Sequence, residues 1–144
     1  MGVVVDSSIF VAAERGRFDW VGFHAEIGAE RLYVTVMTLA ELLHGAERAD
    51  SPERKEKRMG FIGDVEARYP LLAFCRDEAV IYSKIWASMS AAGTLIGLHD
   101  LQIAAVALHH EYRVATLNLD EFSRVPGLEV MDASPFRIAR SLHL

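Results

Sequence analysis

Four stretches carry the residue types and spacings that could do chemistry in this chain. Asp6 ends the apolar run of "GVVVDSSIF", and Glu41 lies in "TLAELLHGA". Asp100 opens "DLQIAAVALHH", and "TLNLDEF" offers Asn118, Asp120 and Glu121. Oxygen donors with no cysteine among them favour Mg²⁺ or Mn²⁺ over Zn²⁺. Carboxylates gathered at one point repel one another and raise each other's pKa unless a cation is present. Such a cation polarises a phosphoryl oxygen, helps to generate hydroxide from water and steadies a leaving oxygen. That is the chemistry of phosphodiester hydrolysis. Each residue alone also has a plainer use. Asp6 and Asp100 are good helix N-caps, Glu41 completes a capping box with Thr38, and Asn118 suits a turn. Only their joint placement favours a site.

Joint placement requires elements that bring them together. The β-rich runs "VVV", "RLYVTV", "LLAF", "RVAT" and "LEVM" read as five short strands. Between them lie segments with helical apolar spacing: "SSIFVAAE", "FDWVGFHAEIGA", "TLAELLHGAERA", a charged helix from Ser51-Pro52 to Tyr69, and "DEAVIYSKIWASMSAAG". "DLQIAAVALHHEY" is apolar on most of its circumference and is expected to be largely buried. Strands alternating with helices predict an α/β fold with a mainly parallel sheet of four to five strands. In such a sheet the residues after each strand converge on the carboxyl edge, where open α/β sheets bind ligands. Asp6, Glu41, Asp100 and the Asn118–Glu121 segment all fall there.

The bulk composition narrows the classes. The 144 residues are most economically one domain, 1–144, with 51% hydrophobic and 24% charged residues. No uncharged apolar run reaches the roughly 18 residues of a membrane span. The start lacks the basic and apolar regions of a signal peptide, and Asp6 stands where a myristoylation motif needs Ser or Thr. Cys75 is the single cysteine, so an intrachain disulfide and a multi-cysteine zinc cluster are excluded. A cytoplasmic protein is expected. The net charge of −5 argues against a general nucleic-acid coat but not against a nuclease, whose acidic site subtracts from the total.

Local basic groups remain. "ERKEKR" carries Arg54, Lys55, Lys57 and Arg58 among glutamates and reads first as a solvated helix face. Arg15 and Arg17 flank Gly16 and are candidates for substrate phosphates. Glu41 and His44 copy half of a di-iron motif, but no second copy exists. His44 reads as a rim residue, His99 as a loop residue beside the site, and His109 and His110 as packing or capping groups. Trp20 and Trp86 lie on apolar helical faces and read as core.

The pieces "VVVDSSIF", "TLAELLHGA", "GTLIGLHDLQIAAVALHH" and "VATLNLDEFSRVPGLEV", in this order, resemble PIN-domain nucleases over nearly the whole chain. The greatest likeness is to the VapC toxins of toxin–antitoxin pairs. That resemblance implies an Mg²⁺-dependent endoribonuclease leaving 5′-phosphate and 3′-hydroxyl ends. It implies Asp6, Glu41 and Asp100 as the acidic, metal-holding triad, with Ser7 supporting it. The family's fourth acidic position corresponds to Asn118 here, and either Asn118 or Asp120 completes the site. An RNA substrate, a VapB-type antitoxin in the active-site groove and a homodimer are further implications. Two other readings stand beside it: a PIN-like RNA-binding module whose catalysis has lapsed, and a phosphoacceptor receiver domain.

Overall fold

The computed structural model describes residues 1–139. Five strands, β1 (Gly2–Val5), β2 (Arg31–Thr35), β3 (Leu71–Leu72), β4 (Arg113–Thr116) and β5 (Val130–Asp132), form one sheet. Around it lie α1 (Ser7–Glu14), α2 (Trp20–Ile27), α3 (Val36–Glu47), α4 (Pro52–Arg68), α5 (Arg76–Ala92), α6 (Leu98–His110) and α7 (Leu119–Phe122). A 3₁₀ turn, Ser134–Phe136, follows β5. The strands run in the order β3-β2-β1-β4-β5, and every neighbouring pair is parallel. The mainly parallel sheet expected from the sequence is therefore present. Its order differs from the 2-1-3-4-5 arrangement of flavodoxin-like sheets, which removes the receiver-domain reading.

The valine run makes β1 the central strand, buried on both faces. Val3 and Val5 join the core under α1 to α4, while Val4 faces the opposite core with α5 and α6. Successive side chains of a strand point to opposite faces, so three valines in a row serve two helical layers. α6 is enclosed as expected: Leu101 and Ile103 to Ala107 are all buried. α7 was not anticipated. Phe122 anchors it, fully buried beside Leu101 and Val125. Full burial of such a side chain contributes about 1.5–3 kcal/mol, which offsets the weakness of a four-residue helix.

Three boundaries differ from the sequence reading, with consequences for the site. Thr35 and not Thr38 caps α3, its hydroxyl accepting the Thr38 N–H at 3.1 Å. Glu41 is thus in the second turn and completes no capping box. α6 begins at Leu98 with Gly97 as its cap, so Asp100 is the third helical residue and not a cap. β3 is an edge strand confined to Leu71–Leu72 and paired only with β2, and three residues lead from it to α5. No helix among the described residues is long and apolar enough to cross a membrane.

Candidate active site at the sheet switch point

Strand order reverses direction between β1 and β4, and the crevice beyond their carboxyl ends is where such sheets place ligands. Asp6 leaves β1 at that point, fully buried. It occupies the cap position of α1, yet its carboxylate accepts no helix N–H. Instead Oδ2 accepts the Ser8 hydroxyl at 2.6 Å and the Thr116 hydroxyl at 2.9 Å. Ser7 reaches Oδ1 only at 3.4 Å. The two strong donors are themselves held, since Ser8 Oγ accepts the Leu117 N–H at 3.1 Å and Thr116 Oγ1 the Asn118 N–H at 2.8 Å. The aspartate at the end of "VVVD" is therefore not a cap. It is a carboxylate clamped by hydroxyls from both sides of the switch point.

Glu41 enters from α3. One of its oxygens, Oε1, is buried and has no hydrogen-bond partner among the described residues. Burial, and then the charge of Asp6, push its carboxyl above the usual range; His99 and the Ser7 hydroxyl relieve this only in part. Asp100 enters from the first turn of α6. Burial, a side-chain hydrogen bond with Glu121, and the charges of Asp6, Glu121 and Glu41 push its carboxyl up to about 8. Four carboxylates from four segments thus act on one another.

A cleft of about 510 Å³ opens beside them, lined by Ser7, Ser8, Arg15, Arg17, Glu41, Asp100, Asn118 and Arg137. Its floor is acidic and its rim is basic, which suits a phosphodiester strand approaching a cation. Asp120 is exposed and does not line this cleft; it faces an adjacent hollow with Asp132 and Ser134. The "TLNLDEF" carboxylate that meets Asp100 is Glu121, because the helical turn of α7 sets its side chain about 100° from that of Asp120. In "ERKEKR", Arg54 and Lys55 pair with Asp50 and Glu47 on the exposed face, whereas Arg58 is half-buried and reaches Glu14 of α1 and the Gly45 carbonyl of α3.

The remaining candidates fall outside the cleft. His44 is exposed, and His99 lies in α6 close enough to Glu41 to act on its charge. Trp86 is 40% exposed on α5 beside Tyr82, so it is not core as expected. Trp20 is half-buried and lines a separate apolar hollow with Phe10, Phe61 and Tyr69. Ser8, Thr116 and Arg137 were missed, and Glu121, offered with Asn118 and Asp120, was not singled out over Asp120. The doubled serine and the T-x-N spacing are faint signals for two of them; Arg137 has none.

The donor set fits a hard divalent cation. All of its members are carboxylate, hydroxyl or amide oxygens. The orphaned Oε1 of Glu41 and the raised carboxyl of Asp100 are the marks of acidic groups lacking a counter-charge.

An acidic centre at the switch point of a parallel five-stranded sheet, with an arginine rim, defines a nuclease-like α/β domain. The PIN domain family model matches residues 3–128, and the chain belongs to that family. It is similar to the protein named Ribonuclease VapC of Rickettsia bellii (strain RML369-C), at 37% identity over 91% of this chain and 96% of that one. The tRNA(fMet)-specific endonuclease VapC of Salmonella typhimurium is 28% identical over 90% of this chain and 96% of its own. Among solved structures, DNA-bound VapBC from Salmonella typhimurium matches with a TM-score of 0.81 and 25% identity, covering 92% and 98% of the chains. VapBC2 from Rickettsia felis, bound to a promoter DNA fragment, shares the fold at a TM-score of 0.82 and 22% identity over 91% and 98%.

Proposed function

We propose that this chain, as one domain over 1–144, is a metal-dependent endoribonuclease and the toxin of a type II toxin–antitoxin pair. The observation that carries the reading is the orphaned, half-buried Glu41 carboxylate beside the hydroxyl-clamped Asp6. Asp6, Glu41 and Asp100 would hold Mg²⁺, or Mn²⁺ in its place. When bound, that ion supplies Lewis-acid polarisation of the phosphoryl oxygen and lowers the pKa of water.

The chain's own residues do the rest. Arg15, Arg17 and Arg137 bind phosphates flanking the scissile one and fix the strand across the cleft. Glu41 orients the attacking water through its free oxygen. Water adds to phosphorus as the bond to the 3′-oxygen breaks, leaving a 5′-phosphate and, after protonation, a 3′-hydroxyl. Asn118 steadies water or substrate through its amide, while Asp100, whose carboxyl is raised by burial and by its hydrogen bond with Glu121, keeps its proton until a cation replaces it.

The relatives' names and the paired complexes support an RNA substrate and a VapB-type antitoxin. The apolar hollow of Phe10, Trp20, Phe61 and Tyr69, with Val21 83% exposed at its rim, supports a partner segment bound outside the cleft as well. The half-exposed Tyr82–Trp86 face of α5 supports a homodimer, and a cytoplasmic location follows from an RNA target.

The test is incubation of purified, antitoxin-free protein with a mixed tRNA and ribosomal RNA pool, in Mg²⁺ or in EDTA. Discrete Mg²⁺-dependent fragments that accept a 3′-adapter without phosphatase treatment are expected. RNA that is bound but stays intact in Mg²⁺ and in Mn²⁺ would sink the reading and favour the lapsed module.

A further inference from the structure

A second cluster of ligating groups lies at the far end of α6. His109 and His110 close that helix, and Glu78 lies in the first turn of α5, which packs alongside. One donor atom from each of the three lies within 4.8 Å of the other two. Glu78 is only 6% exposed. Its Oε2 is taken by the Cys75 N–H at 3.0 Å, and its Oε1 faces His109 Nε2 across 3.6 Å. That gap is too long for a hydrogen bond. It is close to the separation of about 3.3 Å between two ligands of a tetrahedral ion with metal–ligand distances of about 2.0–2.1 Å.

His110 is held in place without use of its ring nitrogens. Its ring stacks on Tyr112 at 5.3 Å and 17°, and Tyr112 stacks on Tyr33 at 4.8 Å and 18°. An imidazole fixed by stacking is a preorganised ligand whose lone pair remains available. His109 lies nine positions beyond Asp100, about 14 Å along the helix, so this cluster is distinct from the acidic cleft.

We propose that Glu78, His109 and His110 form a second metal site, taking a borderline divalent ion such as Zn²⁺, Ni²⁺ or Co²⁺. Two imidazoles and one carboxylate select those ions over Mg²⁺. The fourth position opens to solvent past the exposed His109. The bound ion ties the start of α5 to the end of α6.

The experiment uses untagged full-length protein carrying Asp6→Asn and Asp100→Asn, which silence the acidic cleft. It is titrated with Zn²⁺, and with Co²⁺ followed by its visible absorption, in millimolar Mg²⁺. One ion per chain is expected, with a melting temperature raised by several degrees at a hundredfold excess over Kd. His109→Ala and His110→Ala, on the same background, should each weaken binding by about tenfold or more. Glu78→Gln keeps an oxygen for the Cys75 N–H but loses the charge, and should do the same. If that variant fails to fold, the two histidine variants decide. Absence of saturable binding, or binding that both histidine variants leave unchanged, overturns the site and leaves a plain histidine–glutamate contact.

Discussion

Thr116 donates its hydroxyl proton to Asp6 Oδ2 across 2.9 Å, joining residues 110 positions apart. They meet because β1 and β4 pair in parallel with Val5 opposite Ala115, which sets the next residue of each strand side by side. Thr116→Val keeps the side-chain shape and deletes this donor, and it also strands the Asn118 N–H. A loss of about 1–3 kcal/mol is expected in urea denaturation. RNA cleavage should fall by about 10–100-fold, the range for losing a partner that orients a metal ligand. Unchanged cleavage would reduce Thr116 to a packing residue.

Asp6→Asn should lose more cleavage than Thr116→Val while remaining folded. With its amide oxygen at the Oδ2 position, asparagine still accepts both the Ser8 and Thr116 hydroxyls, so the clamp survives without the charge. Circular dichroism should match the parent, and Mg²⁺ should no longer raise the melting temperature. A variant that cleaves at the parent rate would make Asp6 purely structural.

The raised carboxyl of Asp100 has a definite sign in stability. Its pKa stands near 8 in the folded chain, against 3.8 for an ordinary aspartate, so the native state binds more protons between those values. Stability in EDTA should therefore fall as pH rises from about 4 to about 8 and level off above. Asp100→Asn should flatten that slope and raise the EDTA melting temperature at pH 8. Mg²⁺ at a hundredfold excess over Kd should restore about 2.7 kcal/mol to the parent and little to the variant. A melting temperature that drops in the variant, with no Mg²⁺ effect on either protein, would remove the cation from the site.

Charge on the cleft rim should be separable from charge elsewhere. Arg15→Ala and Arg17→Ala should each lower the log–log salt slope of single-stranded RNA binding by about 0.7. Arg54→Ala and Lys55→Ala, whose cations already face Asp50 and Glu47, should leave the slope alone. Equal effects from the two pairs would mean that the cleft does not define the RNA path.

Local chemistry was legible in the sequence where it depends on near neighbours. The valine run, the helical stripe of "DLQIAAVALHH", the Ser51-Pro52 start and the alternation of strands with helices all concern residues a few positions apart, and each stands in the fold. So did the convergence of Asp6, Glu41 and Asp100, because parallel strands put every following loop at one edge. Which group touches which was decided only by tertiary contact. Thr38 and Thr35 are equally plausible caps by type, and only the end of β2 chose Thr35, freeing Glu41 from a capping box. Asp120 and Glu121 are neighbours of the same charge, and a helix turns consecutive side chains about 100° apart. The burial of Phe122 set that rotation, sending Glu121 to Asp100 and Asp120 to solvent. Ser8 and Thr116 clamp Asp6 through a register that depends on β1 lying beside β4. Strand neighbours separated by more than a hundred residues leave no local trace, because long-range pairing is settled by packing of the whole sheet.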